Sequence, residues 1–464
     1  MFRIHAKMNP SFLEAFILIF LIISIMTVCI AIFDAVPHMP ILIAILLLIA
    51  YGLYKKIPYK DLENGLTQGA SAGLSAIFIF FFIGTLISSW MMSGTIPTLI
   101  YLGFETITPH FFYAVVFIVT CIVGIAIGSS LTTTATVGVA FIGMANAMDI
   151  SLAITAGAIV SGAFFGDKMS PLSDTCNLSS TIMGVDLFEH IKNMCWTTIP
   201  ALILSAIIYA ILSPSKVLQN THKINTFKEG LLSTNMVHWY TLIPLLVLMI
   251  MAIKKVPAII TLATGTLIAI LISYFHHQYG FSEVLSNLFN GYTSHTGIKD
   301  IDSLLSRGGI NSMMFTVGLV ILALSMGGLL FTLGIIQSVL SRIEKLFKSV
   351  GSVITGAAFT AIGINTLIGE QYLSILLTGQ AFQAQFQRVG LKNKNLARVA
   401  EDAGTVVNPL VPWSVCGIFI TKVLTVSTWA YFPFAFFCLL SPILTILAGW
   451  TGKTLTYIDE KQQN

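Results

Sequence analysis

Two carboxylates, an ammonium group and several hydroxyls are concentrated in residues 166–177, between apolar segments long enough to lie in a bilayer. The carboxylates belong to Asp167 and Asp174, and the ammonium group belongs to Lys168. A carboxylate at membrane depth is energetically costly, so it rarely occurs there without a partner or a function. Pro171 interrupts a helix and frees backbone carbonyls, which can bind a cation. We therefore expect this stretch to be the ion site of a secondary transporter.

Three further acidic residues, Glu370, Glu401 and Asp402, are predicted to be embedded in the second half of the chain. Na⁺ is a hard cation that prefers oxygen ligands, and we expect Asp167, Asp174 and Asp402 to hold it. The other candidate ligands are oxygen-bearing side chains near these carboxylates: Thr132, Thr133, Ser173, Asn177, Asn365, Glu370 and Asn408. No cluster of histidines and cysteines suggests a transition metal. No cofactor is expected, and Na⁺ and H⁺ are the predicted transported ions.

A carboxylate in a partly desolvated cavity holds either a proton or Na⁺, because neutralising it with one removes its attraction for the other. That competition is sufficient for exchange. On each side of the membrane, the ion that is abundant displaces the other.

Several of these candidates also have a structural explanation, whereas Glu370, which lies between apolar segments, has few. Asp167 could form an internal ion pair with the neighbouring lysine, and Asp174 or Asp402 could cap a helix. Glu401 could face cytoplasmic lipid headgroups. The hydroxyls of Thr132–Thr134 could satisfy backbone carbonyls within a helix.

The composition indicates a membrane protein. Of 464 residues, 56% are hydrophobic and only 9% are charged, whereas a soluble domain carries roughly 25% charged residues. Apolar spans recur from residues 11–33 to residues 429–450, and each is long enough to cross a bilayer as a helix. The runs are continuous and do not alternate, which argues against a β-barrel. The net charge of +4 comes largely from loop lysines and fits membrane orientation better than nucleic-acid binding.

The second half of the chain faintly repeats the first, in the same order. The matched segments are 64–67 with 290–293, 94–96 with 334–336, 128–134 with 363–370, and Asp167 and Pro171 with Asp402 and Pro409. Lysine and arginine mark cytoplasmic loops. The loops at 55–60, 342–348 and 388–398 are basic, whereas the matching positions of the other half carry neither residue. This alternation is typical of inverted-topology repeats.

We accordingly predict an all-α polytopic membrane protein with two inverted repeats, residues 1–213 and 238–464, and both termini cytoplasmic. Residues 214–237 would form an extracellular linker, although three lysines there oppose this assignment. Segments 128–148, 166–190 and 396–422 are too rich in Gly, Pro, Thr and Asn for uninterrupted spans. We expect them to be broken or re-entrant helices that form the ion site.

The motif Gly166-Asp167-Lys168-Met169-Ser170-Pro171-Leu172-Ser173-Asp174-Thr175, together with 401–405 and 408–413, resembles the NhaC family of Na⁺/H⁺ antiporters. The resemblance implies a bacterial inner-membrane antiporter, driven by the proton gradient, with inverted repeats. It implies that Asp167, Ser173, Asp174, Asp402 and Asn408 belong to the family's polar motifs. Cys176 departs from it, because a second threonine is expected there. The family includes sodium-coupled malate/lactate antiporters, so the resemblance does not fix the substrate.

The favoured function is exchange of cytoplasmic Na⁺ for external H⁺ by alternating access. The alternative is antiport of a small organic solute, such as malate, lactate or an amino acid, coupled to Na⁺ or H⁺. An organic carboxylate would need a positive partner, for which Lys168 and helix N-termini are the candidates. An enzyme is not expected, since no nucleophile–base pair or metal motif is present. The lipid bilayer, Na⁺ and H⁺ are the expected partners, and a homodimer is compatible with the sequence.

Overall fold

The computed structural model describes residues 6–33, 35–106, 110–214, 221–298, 301–302, 305–343 and 347–458. These residues are almost entirely helical, and one isolated antiparallel bridge joins Leu391 to Tyr457. The predicted all-helical class is therefore confirmed.

The first half contains α1 (Phe12–Ala31), α2 (His38–Tyr54), α3 (Tyr59–Ala72), α4 (Leu74–Met92), α5 (Thr95–Thr106), α6 (Phe112–Ile127), α7 (Ser130–Thr133), α8 (Val139–Ala147), α9 (Leu152–Met169), α10 (Asp174–Met183) and α11 (Leu187–Leu212). A π-helical turn, Thr134–Gly138, joins α7 to α8. Helix α12 (Thr221–Ser233) lies in the predicted linker. Residues 215–220 of that linker lie outside the described residues.

The second half contains α13 (Ile243–Ile253), α14 (Ala258–Ser273), α15 (Phe281–Asn290), α16 (Ile310–Thr332), α17 (Ile335–Ile343), α18 (Val350–Ile368), α19 (Gln371–Arg388), α20 (Asn393–Ala400), α21 (Val415–Leu424), α22 (Thr428–Tyr431) and α23 (Phe436–Thr451). A π-helical turn, Glu401–Thr405, extends α20. Short 3₁₀ turns are formed by Trp239–Leu242, Asn408–Leu410 and Phe432–Phe434.

Six of the described helices are long and apolar enough to cross a membrane: α1, α4, α9, α11, α16 and α18. Two bent pairs bring the number to as many as eight. One pair joins Asn393–Leu410 to Val415–Leu424 at 45°, and the other joins Thr428–Phe434 to Phe436–Thr451 at 56°. The protein is thus a multi-pass membrane protein with bent and broken helices, as predicted.

Glycines allow the two helices that carry the first break to pack closely. Gly166 of α9 faces Gly124 of α6, and a Cβ on Gly166 would lie 2.4 Å from the Gly124 backbone. Small residues permit this kind of approach between membrane helices. The contact fixes the end of α9, where the sequence motif lies, against the end of α6.

The breaks in the two halves begin in the same way. Helices α6 and α18 each end at a glycine with left-handed backbone, Gly128 (φ 70°) and Gly369 (φ 76°). The next residue is in each case the N-cap of the following helix, Ser129 in the first half and Glu370 in the second. The cap geometry therefore relates Gly128 to Gly369, whereas the faint sequence repeat paired it with Gly363.

Candidate ion site

Asp167 lies in the last turn of α9, and the local sequence explains why the helix ends there. A residue that precedes proline is pushed out of the helical region, and Ser170, before Pro171, is extended (φ −87°, ψ 130°). Ser173 is then the N-cap of α10, and its hydroxyl accepts a hydrogen bond from the Cys176 N–H at 3.4 Å. The predicted broken segment 166–190 therefore contains the end of α9, all of α10 and the start of α11, with its first break between Met169 and Asp174.

Hydroxyl groups from two other chain segments bind the Asp167 carboxylate, which is only 5% exposed. Ser130 donates to Oδ2 from its side chain at 2.7 Å and from its backbone N–H at 3.3 Å. Ser173 donates to Oδ1 at 2.6 Å. A carboxylate has about four acceptor positions, so one position is left beside these three bonds. Sequence reasoning missed Ser130, although it lies in the polar segment 128–134.

A cavity of about 300 Å³ adjoins this carboxylate. Four of the predicted site residues line it: Thr132, Asp167, Asp174 and Asn177. Asp174 is exposed to the cavity, and Asn177 is anchored beside it by donating to the Ser173 carbonyl at 2.7 Å. The cavity wall therefore contains two carboxylates together with hydroxyl and amide oxygens, the ligand types that suit Na⁺.

Three helices begin at the same cavity. The first residues of α7, α10 and α19 line it, and so does Lys255 in the connection between α13 and α14. A second cavity of about 670 Å³ is lined partly by Asp174 and by Glu370, and its remaining wall is largely apolar. Helix N-termini carry partial positive charge, so the site combines carboxylates with groups that attract anions.

Lys168 does not pair with its neighbour Asp167. Its ammonium group instead contacts Asp402 Oδ1, and both side chains are fully buried. Thr197 of α11 donates to Asp402 Oδ2 at 2.8 Å. Lys168 therefore joins the first half of the chain to the second, and it is not available to a substrate in the cavity. Asp402 caps no helix, since it lies within the π-helical turn.

Asn365 and Asn408 form a separate buried network in the second half. Asn408 Nδ2 donates to Asn365 Oδ1 at 2.8 Å, and Asn408 Oδ1 accepts from the Cys416 N–H at 3.1 Å. Asn365 Nδ2 donates to the Gly404 carbonyl at 2.5 Å. Both amides thus hold the broken segment 401–416 in place.

Glu370 and Thr133 form hydrogen bonds to backbone groups of their own helices. Glu370 is 8% exposed and caps α19 by accepting from the Leu373 N–H at 2.8 Å. Thr133 donates to the Ser129 carbonyl at 2.8 Å, as the structural interpretation of the threonine run expected. Asp174 does not cap α10, because Ser173 does. The structure therefore brings five predicted residues together at the cavity and its edge (Thr132, Asp167, Ser173, Asp174 and Asn177), and it places the others elsewhere.

Glu401 is fully buried, so the expectation that it faces lipid headgroups is wrong. It lies beside Cys176 and His190. Nothing in the sequence indicated this histidine–cysteine cluster, because these residues are far apart in the chain and only the fold brings them together.

Comparison with known proteins identifies the family of this chain. Residues 162–453 match the Na⁺/H⁺ antiporter family. An Na⁺/H⁺ antiporter NhaC of Alkalihalophilus pseudofirmus is 40% identical over 419 residues, which cover 90% of each chain. The chain belongs to this family. The predicted resemblance is confirmed, and the protein is a secondary transporter and not an enzyme.

Other members differ in substrate. A malate-2H⁺/Na⁺-lactate antiporter of Bacillus subtilis is 35% identical over 402 residues, which cover 86% of each chain. An arginine/ornithine antiporter ArcD of Halobacterium salinarum is 35% identical over 461 residues, which cover 98% of this chain and 95% of that protein. Family membership establishes a membrane antiporter with bacterial homologues.

Proposed function

We propose that this protein exchanges cytoplasmic Na⁺ for external H⁺ by alternating access, with Asp167 as the central carboxylate. The observation that carries the proposal is the environment of that side chain. It is buried between two broken helices, oriented by Ser130 and Ser173, and adjacent to a cavity lined by oxygen ligands.

The two bound hydroxyls hold the carboxylate in place without neutralising it. Na⁺ can bind the remaining acceptor position of Asp167 together with oxygens of Thr132 and Asp174 in the cavity wall. A proton on Asp167 removes the charge that attracts Na⁺, so the two ions exclude one another. Exchange follows if the cavity opens alternately to the two sides.

Alternating access is supported by the relation between the halves. Matching left-handed glycines at 128 and 369, each followed directly by the N-cap of the next helix, suit two repeats, residues 1–213 and 238–464, related by inversion. Residues 214–237 would then form an extracellular linker, with both termini in the cytoplasm of a bacterium.

The experiment is Na⁺-driven proton movement in everted membrane vesicles with no organic solute present. We expect wild-type protein to move protons when Na⁺ is added and Asp167→Asn to be inactive at an equal amount of inserted protein. Asp61→Asn is the control, because Asp61 forms a half-exposed ion pair with Lys7 outside both cavities. Unchanged exchange by Asp167→Asn would contradict the proposal.

Antiport of a small organic anion is the second candidate function. It is favoured by the three helix N-termini and Lys255 around the cavity, since N-termini and lysine attract carboxylates. The second cavity, which shares Asp174, adds apolar space for a carbon skeleton. The relative named for malate and lactate is consistent with such a substrate.

The same vesicles separate the two candidates. Organic-anion antiport predicts no response to Na⁺ alone and a response when malate or lactate is supplied. It also predicts that Lys255→Met lowers the response to the organic anion. If Na⁺ alone drives proton movement and malate or lactate adds nothing, the second candidate is contradicted.

A further inference from the structure

We propose that Cys176, His190 and Glu401 form a binding site for a borderline-soft divalent cation such as Zn²⁺. The three residues come from α10, α11 and the π-helical turn at Glu401–Thr405. All three are fully buried. One ligand atom from each lies within 4.8 Å of the other two, a spacing that small side-chain movements would close around one ion.

The side-chain polar atoms of Glu401 and His190 lack hydrogen-bond partners among the described residues. Neither carboxylate oxygen of Glu401 and neither ring nitrogen of His190 makes a hydrogen bond. Burying such groups unpaired costs several kcal/mol each by transfer estimates. A bound cation would satisfy one oxygen and one nitrogen at once, which accounts for their burial side by side.

The donor set selects the type of metal. One sulfur, one imidazole nitrogen and one carboxylate oxygen are common Zn²⁺ ligands, whereas Na⁺ and Mg²⁺ prefer oxygen alone. The Cys176 thiol now donates to the Lys168 carbonyl at 2.9 Å, and it would lose that bond on becoming a thiolate ligand. Three protein ligands leave a fourth position open, the coordination of zinc sites that are not purely structural.

The surrounding charges are compatible with the ion. Lys168 of α9 is paired with Asp402 of the π-helical turn, and Asp167 of α9 is held by Ser130 and Ser173. The thiolate of Cys176 and the carboxylate of Glu401 would together balance the charge of a divalent cation. The Cys176 proton would be released on binding, and the assembled site of metal, thiolate and carboxylate would carry no net charge.

Occupancy would connect parts of the protein that must move if the proposed function is correct. Cys176 and His190 belong to the first half and Glu401 to the second. The Cys176 N–H donates to Ser173, which itself donates to Asp167. Zn²⁺ would thus hold the start of α10 against the second half, and we expect it to inhibit exchange.

The binding test uses the purified full-length protein in detergent, titrated with Zn²⁺ by calorimetry and with Co²⁺ by absorption spectroscopy. We expect one equivalent to bind, with a thiolate-to-Co²⁺ charge-transfer band. Cys176→Ser should remove that band, and His190→Gln and Glu401→Gln should each weaken binding at least about tenfold, since loss even of a supporting group costs that much. Cys121→Ser, at another buried cysteine, should bind as wild type does.

Two results would overturn the site: no Zn²⁺ binding by folded wild-type protein, or binding that all three ligand substitutions leave unchanged. Thermal melting in detergent shows whether each variant is folded. If Cys176→Ser or His190→Gln fails to fold, Cys176→Ala or His190→Asn takes its place. Because this test measures binding, it does not depend on whether the protein exchanges Na⁺. Zn²⁺ inhibition of vesicle exchange, relieved by Cys176→Ser, is the separate test of the inferred effect on transport.

Discussion

The two broken regions of this transporter share their backbone plan but differ in the chemistry at their centres. In the first half, Ser173 caps the helix after the break and donates to the carboxylate of Asp167. In the second half, Ser414 caps the corresponding helix and donates to the backbone carbonyl of Asn408 at 2.5 Å. Asp167 and Asn408 precede these serines by the same number of residues.

The difference indicates how one repeated structure can serve two purposes. An anionic carboxylate beside a cavity can bind a cation or a proton, whereas a carboxamide with its donors and acceptors satisfied can only hold a backbone in place. We infer that the first break binds the ion and that the second break supports it. The Lys168–Asp402 pair connects the two.

The largest expected effect is on Na⁺ affinity, which should depend on Asp167 and not on Asn408. Asp167→Asn removes the negative charge proposed to bind Na⁺, so Na⁺ affinity should fall by at least about tenfold, which corresponds to about 1.4 kcal/mol. Asn408→Asp should retain Na⁺ binding by the first break. Equilibrium binding of radioactive Na⁺ to purified protein measures both, and equal losses in the two variants would refute the comparison.

The second effect is a loss of stability when the Lys168–Asp402 ion pair between the two regions is broken. Removing one partner of a buried ion pair leaves an uncompensated charge and costs about 3–5 kcal/mol. Lys168→Met and Asp402→Asn should each lower the free energy of unfolding by that order. The double variant should be more stable than the sum of the two losses predicts. Unfolding in mixed detergent micelles gives all four values, and strict additivity would show that the pair does not interact.

A third, smaller effect is the loss of stability and activity when alanine replaces Gly128 or Gly369, the two glycines with left-handed backbone. Left-handed backbone costs an alanine roughly 1–2 kcal/mol at either position. A Cβ at Gly128 would also lie 2.7 Å from Leu172 Cβ, whereas one at Gly369 would lie 3.0 Å from Ser414 Cα. We expect Gly128→Ala to lose more stability and more exchange activity than Gly369→Ala, measured by melting and vesicle assays. The reverse order would contradict the account.

The smallest effect concerns the capping serines. Loss of an N-cap hydroxyl typically costs about 1 kcal/mol, so Ser173→Ala and Ser414→Ala should each lower the melting temperature. Of these two variants, only Ser173→Ala should raise the Na⁺ concentration needed for half-maximal exchange, because Ser173 donates to Asp167 and Ser414 does not. Equal Na⁺ dependence in both variants would remove Ser173 from the ion site.

Local sequence was sufficient for part of this structure. Apolar length predicted the spans, and Pro171 predicted the break after Asp167, because both signals act within a few residues. Three adjacent threonines could not be distinguished in this way, since helical phase decides which one donates back to a carbonyl, as Thr133 does, and which one lines the cavity, as Thr132 does.

Contacts between residues that are far apart in the chain could not be predicted from the sequence. Lys168 was expected to pair with its neighbour or to meet a substrate, yet it contacts Asp402 across the two halves. His190 lies near the start of α11 with no motif around it, and only the packing of α10, α11 and the π-helical turn places it beside Glu401. Such contacts depend on how the helices pack, and no feature of the neighbouring sequence indicates them.

Proton release during Na⁺ binding tests the central claim most directly. Purified wild-type protein and Asp167→Asn are titrated with Na⁺ by calorimetry in buffers that differ in ionisation enthalpy. The account predicts that Na⁺ binding to wild-type protein expels protons and that Asp167→Asn loses both the binding and the proton release. Na⁺ binding by Asp167→Asn with unchanged affinity and unchanged proton release would contradict it.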